Sequence, residues 1–332
     1  MRRKFVFLLI FLTTLTFIGS CGRNNNSGAT NPNNGWTARA SGTSDYLFSI
    51  TWSGTQYVAV GGNNYTSSPP RGTIVTSPDG ITWTPSTKDV PGNLNCVVWS
   101  GSKFVAVGDG GAILTSPDGI TWTARASGVS GNLYRIAWSG MQLCAVGGAY
   151  DTSTSTSSTI VLTSSDGITW TARTAGTSSY LYSIAWSGTQ FVAVGAGGTI
   201  LTSPDGITWT ARTSVTTNYL YSITWSGAQF VAVGYDGIII TSPDGIAWTT
   251  RTSGTLSYLD GIAWSGKQFV VVGSNYDYSA TKYSGTILTS PDGITWTLQK
   301  IVKDTSTLFY DITWTDTQFV IVGYGGMILT SQ

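Results

Sequence analysis

One eight-residue phrase, T-S-P-D-G-I-T-W, returns along this chain and sets its period. It stands at residues 76–83, 115–122, 202–209 and 289–296, with near copies at 163–170 (Ser165 in place of Pro) and 241–248 (Ala247 in place of Thr). A second Trp follows about sixteen residues on, mostly as I-T-W-S-G or I-A-W-S-G. The two positions account for all 14 tryptophans. The first set is Trp36, Trp83, Trp122, Trp170, Trp209, Trp248 and Trp296; the second is Trp52, Trp99, Trp138, Trp186, Trp225, Trp264 and Trp314. The spacing within a pair is 16 residues six times and 18 once, which makes seven repeats. A long fixed period marks one supersecondary unit that cannot bury its own faces and must stack on copies of itself.

Each repeat carries four short β-like runs. In residues 180–212, the run 180–187 (Y-L-Y-S-I-A-W-S) alternates, with Tyr182, Ile184 and Trp186 expected on one face and Leu181, Ser183 and Ala185 on the other. Residues 190–194 and 199–202 form the second and third runs, and 207–212 the fourth. Between the third and fourth, S-P-D-G is a turn: Pro sets φ, Asp bonds back to nearby amides, and Gly takes the left-handed conformation. Four strands repeated seven times predict an all-β fold, a seven-bladed β-propeller of four-stranded antiparallel blades. The fourteen Trp are expected to pack between blades, each aromatic burying roughly 150–250 Å².

The two ends of the repeat array fit a ring. The last repeat stops at Gln332 without its P-D-G-I-T-W strand, and an unmatched G-W-T-A-R-A stands at residues 35–40. The N-terminal strand is therefore expected to complete the seventh blade, which leaves no open sheet edge.

Residues 1–20 read as a signal peptide: Arg2, Arg3 and Lys4, then an apolar run over 5–18, too short to span a membrane as a helix. The run ends in I-G-S-C, which resembles the lipobox of bacterial lipoproteins, with Cys21 the lipid-modified residue. Gly22 rather than Asp follows it, which by that resemblance favours the outer membrane or cell surface. Residues 21–34 have no apolar side chain larger than Ala after Cys21 and are expected to be a flexible tether; 35–332 form the propeller. The lipid is expected to be the one membrane contact.

The chain has 16 acidic residues, all Asp, and no His. Loss of the signal segment leaves 14 basic residues against those 16. A nucleic-acid partner is not expected, since it needs a concentrated basic surface. Without His, the Ser-His-Asp, Cys-His and His-zinc arrangements are closed. No residue set points to a cofactor or a metal, and a monomer is expected.

The turn phrase resembles the Asp-box (BNR) repeat, S-x-D-x-G-x-T-W, of sialidase-like propellers and of the photosystem II assembly-factor family, in a form one residue shorter. The resemblance covers essentially all of residues 35–332. It implies that Asp79, Asp118, Asp166, Asp205, Asp244 and Asp292 are structural, on the face away from any active site. Sialidase chemistry does not carry over: there is no Glu, and Arg39, Arg125, Arg173, Arg212 and Arg251 sit at one repeated position rather than as a converging triad.

Binding residues are expected where the repeat is broken. The connection between second and third strands is long in three blades, at 61–72, 147–159 and 273–285, and brings Tyr65, Tyr150, Asp151, Tyr276, Asp277 and Tyr278 to one face. The inner-strand position four before the second Trp is aromatic in five blades but Asn95 and Asp260 in two; the next position is Ser in three blades but Cys96, Arg135, Gly261 and Asp311 in the rest. These ten residues are the candidate ligand set, and no catalytic residue is assigned. The favoured reading is a non-catalytic binding module for a protein or glycan; the alternative is a carbohydrate-active hydrolase or lyase using Asp and Tyr in the central funnel.

Overall fold

The computed structural model describes residues 35–63, 70–86, 90–277, 282–302 and 307–331. They form seven antiparallel blades whose innermost strands touch one another in an unbroken circle. Blade four shows the unit: Leu181–Trp186, Phe191–Gly195, Ile200–Ser203 and Thr210–Arg212, from axis to rim. Blade seven takes Phe309–Trp314, Phe319–Gly323 and Ile328–Ser331 from the C-terminus and Trp36–Arg39 from the N-terminus. That last strand runs antiparallel in the register Trp36↔Ser331 to Arg39↔Ile328, so the ring closes as the unmatched strand predicts.

The core lies between the blades. In the second-strand phrase F-V-A-V, alternate residues face opposite neighbours. Val192 and Val194, with Ile200, pack on Leu220, Ile223, Phe230 and Trp248 of blade five. Phe191 and Ala193 pack on Cys144, Val146 and Val161 of blade three. This period-two division lets one strand serve two interfaces. The second Trp of each repeat stacks across the first hairpin on the aromatic that opens the second strand, with centroids 4.1–4.7 Å apart in the six blades that have one. In blade three Leu143 stands there and is buried.

The turn phrase is a self-contained hydrogen-bond device. In all six copies the Asp Oδ1 accepts the amides two and three residues on (2.7–3.1 Å). The preceding Ser donates to the same oxygen and accepts the Gly amide at 2.8 Å. The Trp indole N–H donates to that Gly carbonyl at 2.8–3.2 Å. These amides hold the carboxylates below their ordinary range, Asp166 at about 2. The device corrects one expectation. The fourth strand begins at Thr210, not Ile207, because Asp205 draws the Ile207 and Thr208 amides into the turn.

The repeated Arg residues are scaffold. Arg39, Arg125, Arg173, Arg212 and Arg251 each donate through Nε to a Thr of the adjacent third strand at 2.8–3.0 Å.

Candidate functional site

Every innermost strand carries a β-bulge near its first residues. The register slips between Leu181 and Ser183, and likewise at the matching pair in the six other blades. An extra residue on one strand reverses the facing of what precedes it. The simple alternation expected for 180–187 is corrected accordingly: Leu181 is buried in the same cluster as Ile184 and Trp186. The skipped residue is Phe48, Asn95, Tyr134, Tyr182, Tyr221, Asp260 and Tyr310 in turn. All seven, with Arg135, line one cavity of about 230 Å³ on the propeller axis. The symmetry-breaking Asn95, Arg135 and Asp260 are therefore brought together.

The bulge needs a glycine across the hairpin. A Cβ on Gly195 would lie 1.9 Å from the Tyr180 carbonyl oxygen, and a Gly closes the matching second-strand run in every blade. Only hydrogen fits so close to a backbone carbonyl.

The cavity wall is an aromatic ring interrupted twice. Phe48 and Tyr310 touch (centroids 5.4 Å), as do Tyr134 and Tyr182 (5.6 Å) and Tyr182 and Tyr221 (5.8 Å). Tyr46 and Tyr258 open two of these strands, Tyr180 and Tyr219 immediately precede two others, and all four extend this surface, with Tyr235 and Tyr324 from short turns of the second hairpin. The first gap is Asn95, whose Nδ2 donates to Asp109 Oδ1 (2.9 Å) and the Leu133 carbonyl (3.0 Å). Asn93 Nδ2 donates to the other Asp109 oxygen at 3.0 Å. The second gap is Asp260.

Asp260 is half-buried between Tyr221 of blade five and Tyr310 of blade seven. Burial raises its carboxyl to about 7, against a hydrogen bond from Ser274 that lowers it. Burial first, then neighbouring charge including Asp260, holds the Tyr221 and Tyr310 hydroxyls above their ordinary value. Beneath the ring, Arg135 crosses from blade three to Asp311 of blade seven with bonds of 2.8 and 3.2 Å. Asp311 Oδ2 also accepts the Ile50 amide at 3.2 Å. Burial is the largest single influence on the Arg135 pKa and acts to lower it, but the Asp311 carboxylate and Cys96 together outweigh it and the net direction is upward. The guanidinium thus stays charged and paired.

The long connections are β-hairpins rather than loops in two blades. Leu143–Asp151 pairs with Thr156–Ser164, and Phe269–Asp277 with Lys282–Ser290, because each insertion continues the strand pattern in register. Tyr276 faces Tyr283 across the second hairpin with rings 4.7 Å apart, and Tyr283 contributes to the raised Tyr310 hydroxyl. This pair stands beside the cavity. Tyr150 is exposed on the blade-three hairpin and lines no part of the cavity. Asp151 is a turn residue, accepting from Ser153 and Thr154. The Asp277 backbone pairs with Lys282. Tyr65, Tyr278 and Cys21, like the expected signal peptide and tether, lie outside the described residues. Cys96 and Cys144 are buried free thiols.

The starting tyrosines and Asn93 are missing from the expected ligand set. Their signal was present: Tyr46, Tyr180, Tyr219 and Tyr258 recur two residues before the bulge.

No protein-family model matches the chain, and no curated protein matches it. Solved structures do. "YCF48 bound to D1 peptide" is similar with a TM-score of 0.68 at 20% identity, over 90% of this chain and 96% of that one. YCF48 from Cyanidioschyzon merolae gives 0.65 at 17%, over 90% and 98%. The WD40 propeller domain of Doa1 gives 0.64 at 12%, over 89% and 97%. At these identities the likeness is one of fold.

Proposed function

We propose that this chain is a non-catalytic interaction propeller, anchored through a lipid on Cys21 at the outer membrane or cell surface, that receives a polypeptide at the mouth of its central funnel. One observation carries the reading: the seven bulges turn seven otherwise equivalent residues inward, and five of them are aromatic. Exposed π-faces with interspersed hydrogen-bonding groups suit extended chains. The YCF48 structure with a bound D1 peptide supports a polypeptide over a glycan. The hydrogen-bonded turn phrase supports kinship with Asp-box propellers.

The test is capture from a membrane extract with residues 22–332, beside a Tyr182→Ala/Tyr221→Ala variant and one with the blade-three and blade-six hairpins trimmed. Loss of the captured partner in the funnel variant is expected. Equal capture by all three proteins would count against the funnel.

A carbohydrate-active alternative draws on the raised Asp260 carboxyl, which could supply a proton near neutrality. Such hydrolases pair two carboxyls roughly 5–10 Å apart, and Asp311 has its oxygens committed to Arg135 and Ile50. Glycan turnover lost in Asp260→Asn would replace the binding reading.

A further inference from the structure

We propose that the funnel holds a cationic side chain of the bound polypeptide, a Lys ammonium or an Arg guanidinium, caged by tyrosine faces with Asp260 as its counter-ion. The inference rests on the reading above and names what that site takes.

Three observations converge. First, Tyr182, Tyr221 and Tyr310 present aromatic surface around one open-mouthed cavity, and a cation over such faces is attracted by the ring quadrupole. Second, the charges present leave one carboxyl unanswered. Arg135 is neutralised by Asp311, and Asp109 is occupied by Asn93 and Asn95. Asp260 has Ser274 as its hydrogen-bond partner, and no Lys or Arg of the described residues pairs with it. An anionic ligand would meet this carboxyl unscreened; a cation supplies what it lacks. Third, a space of about 230 Å³ admits a single side chain presented end-on.

Ionised Asp260 is costly without a partner, because its surroundings replace water poorly. The groups facing it are Tyr221 and Tyr310, with Ser274 on the adjacent strand, and Asn95 and Arg135, the latter paired with Asp311, line the same cavity. A cation beside it favours the carboxylate, so binding releases a proton. Affinity therefore rises with pH. With the free carboxyl at about 7, binding should be roughly tenfold tighter at pH 8 than at pH 6.

The experiment is selection of a phage-displayed random peptide library on the wild-type protein, then titration of the selected peptides. Selected peptides are expected to share a Lys or Arg. Its replacement by norleucine or citrulline should weaken binding roughly tenfold or more. Asp260→Asn and Tyr221→Leu, checked for native circular dichroism, should show comparable losses, and Asp260→Asn should lose the pH dependence. Free lysine amide competing as well as the peptide would assign the site to a small cation instead and overturn the polypeptide side chain. Peptides whose binding ignores both the cation and Asp260→Asn overturn the cage and leave the binding module standing. Glycan binding in the same cavity, with no peptide selected, overturns both.

Discussion

At the residue scale, the two kinds of Asp in this chain differ in what surrounds them. The six turn carboxylates accept backbone amides and are held in the charged form. Asp260 sits among phenol rings and is held toward the neutral form. The sign of its stability effect follows. Its folded pKa lies above the ordinary 3.8, so the unfolded chain binds fewer protons between those values and Asp260 increasingly disfavours the fold as pH rises from about 4 to about 7. Asp260→Asn should therefore raise the melting temperature at pH 8, by on the order of 3 °C, and leave it unchanged near pH 4. Thermal unfolding at the two pH values checks this; a loss of stability at pH 8 would contradict the burial argument.

At the scale of the strand, the bulge and its glycine form one unit. Gly195 has an ordinary extended φ, so its requirement is purely one of space, with the Tyr180 carbonyl 1.9 Å from where a Cβ would lie. Gly188 is the opposite case, with φ +96° and nothing near its Cβ position. Gly195→Ala should cost about 3 kcal/mol or more, because backbone must move. Gly188→Ala should cost about 1 kcal/mol from backbone strain alone. Denaturant melts of the two variants separate these mechanisms, and equal losses would show that the bulge tolerates displacement. The same unit explains why the inner strand misleads a reader of alternation. Residues 184–186 follow period two, and the slip at Tyr182 then returns Leu181 to their buried cluster.

At the scale of the whole molecule, closure joins chain segments almost three hundred residues apart. Trp36–Arg39 completes blade seven, and Arg39 bonds Thr330. Deleting residues 35–41 exposes the edge of Ile328–Ser331 and removes Trp36 from the cluster of Ile287, Phe309 and Phe319. The deletion is expected to lower the melting temperature by more than about 10 °C and to broaden the transition. An unchanged scanning-calorimetry trace would mean the ring holds without it.

Blade number, closure and the turn device were legible along the chain, because each depends on contacts that repeat with the period: seven Trp pairs, one strand missing at one end and spare at the other, and an Asp within three residues of the amides it accepts. The funnel was legible only in part. Asn95, Arg135 and Asp260 stood out as breaks in a repeat, but nothing in their spacing says that a bulge aims three blades' residues into one cavity. Tertiary structure alone decided that Arg135 meets Asp311 across the axis, spending two of the candidate charges on each other, and that Asp260 faces Tyr221 and Tyr310 without a cation. The physical reason is distance along the chain. A periodic pattern encodes what a residue does within its blade, whereas the charge balance of the funnel is set where seven blades converge.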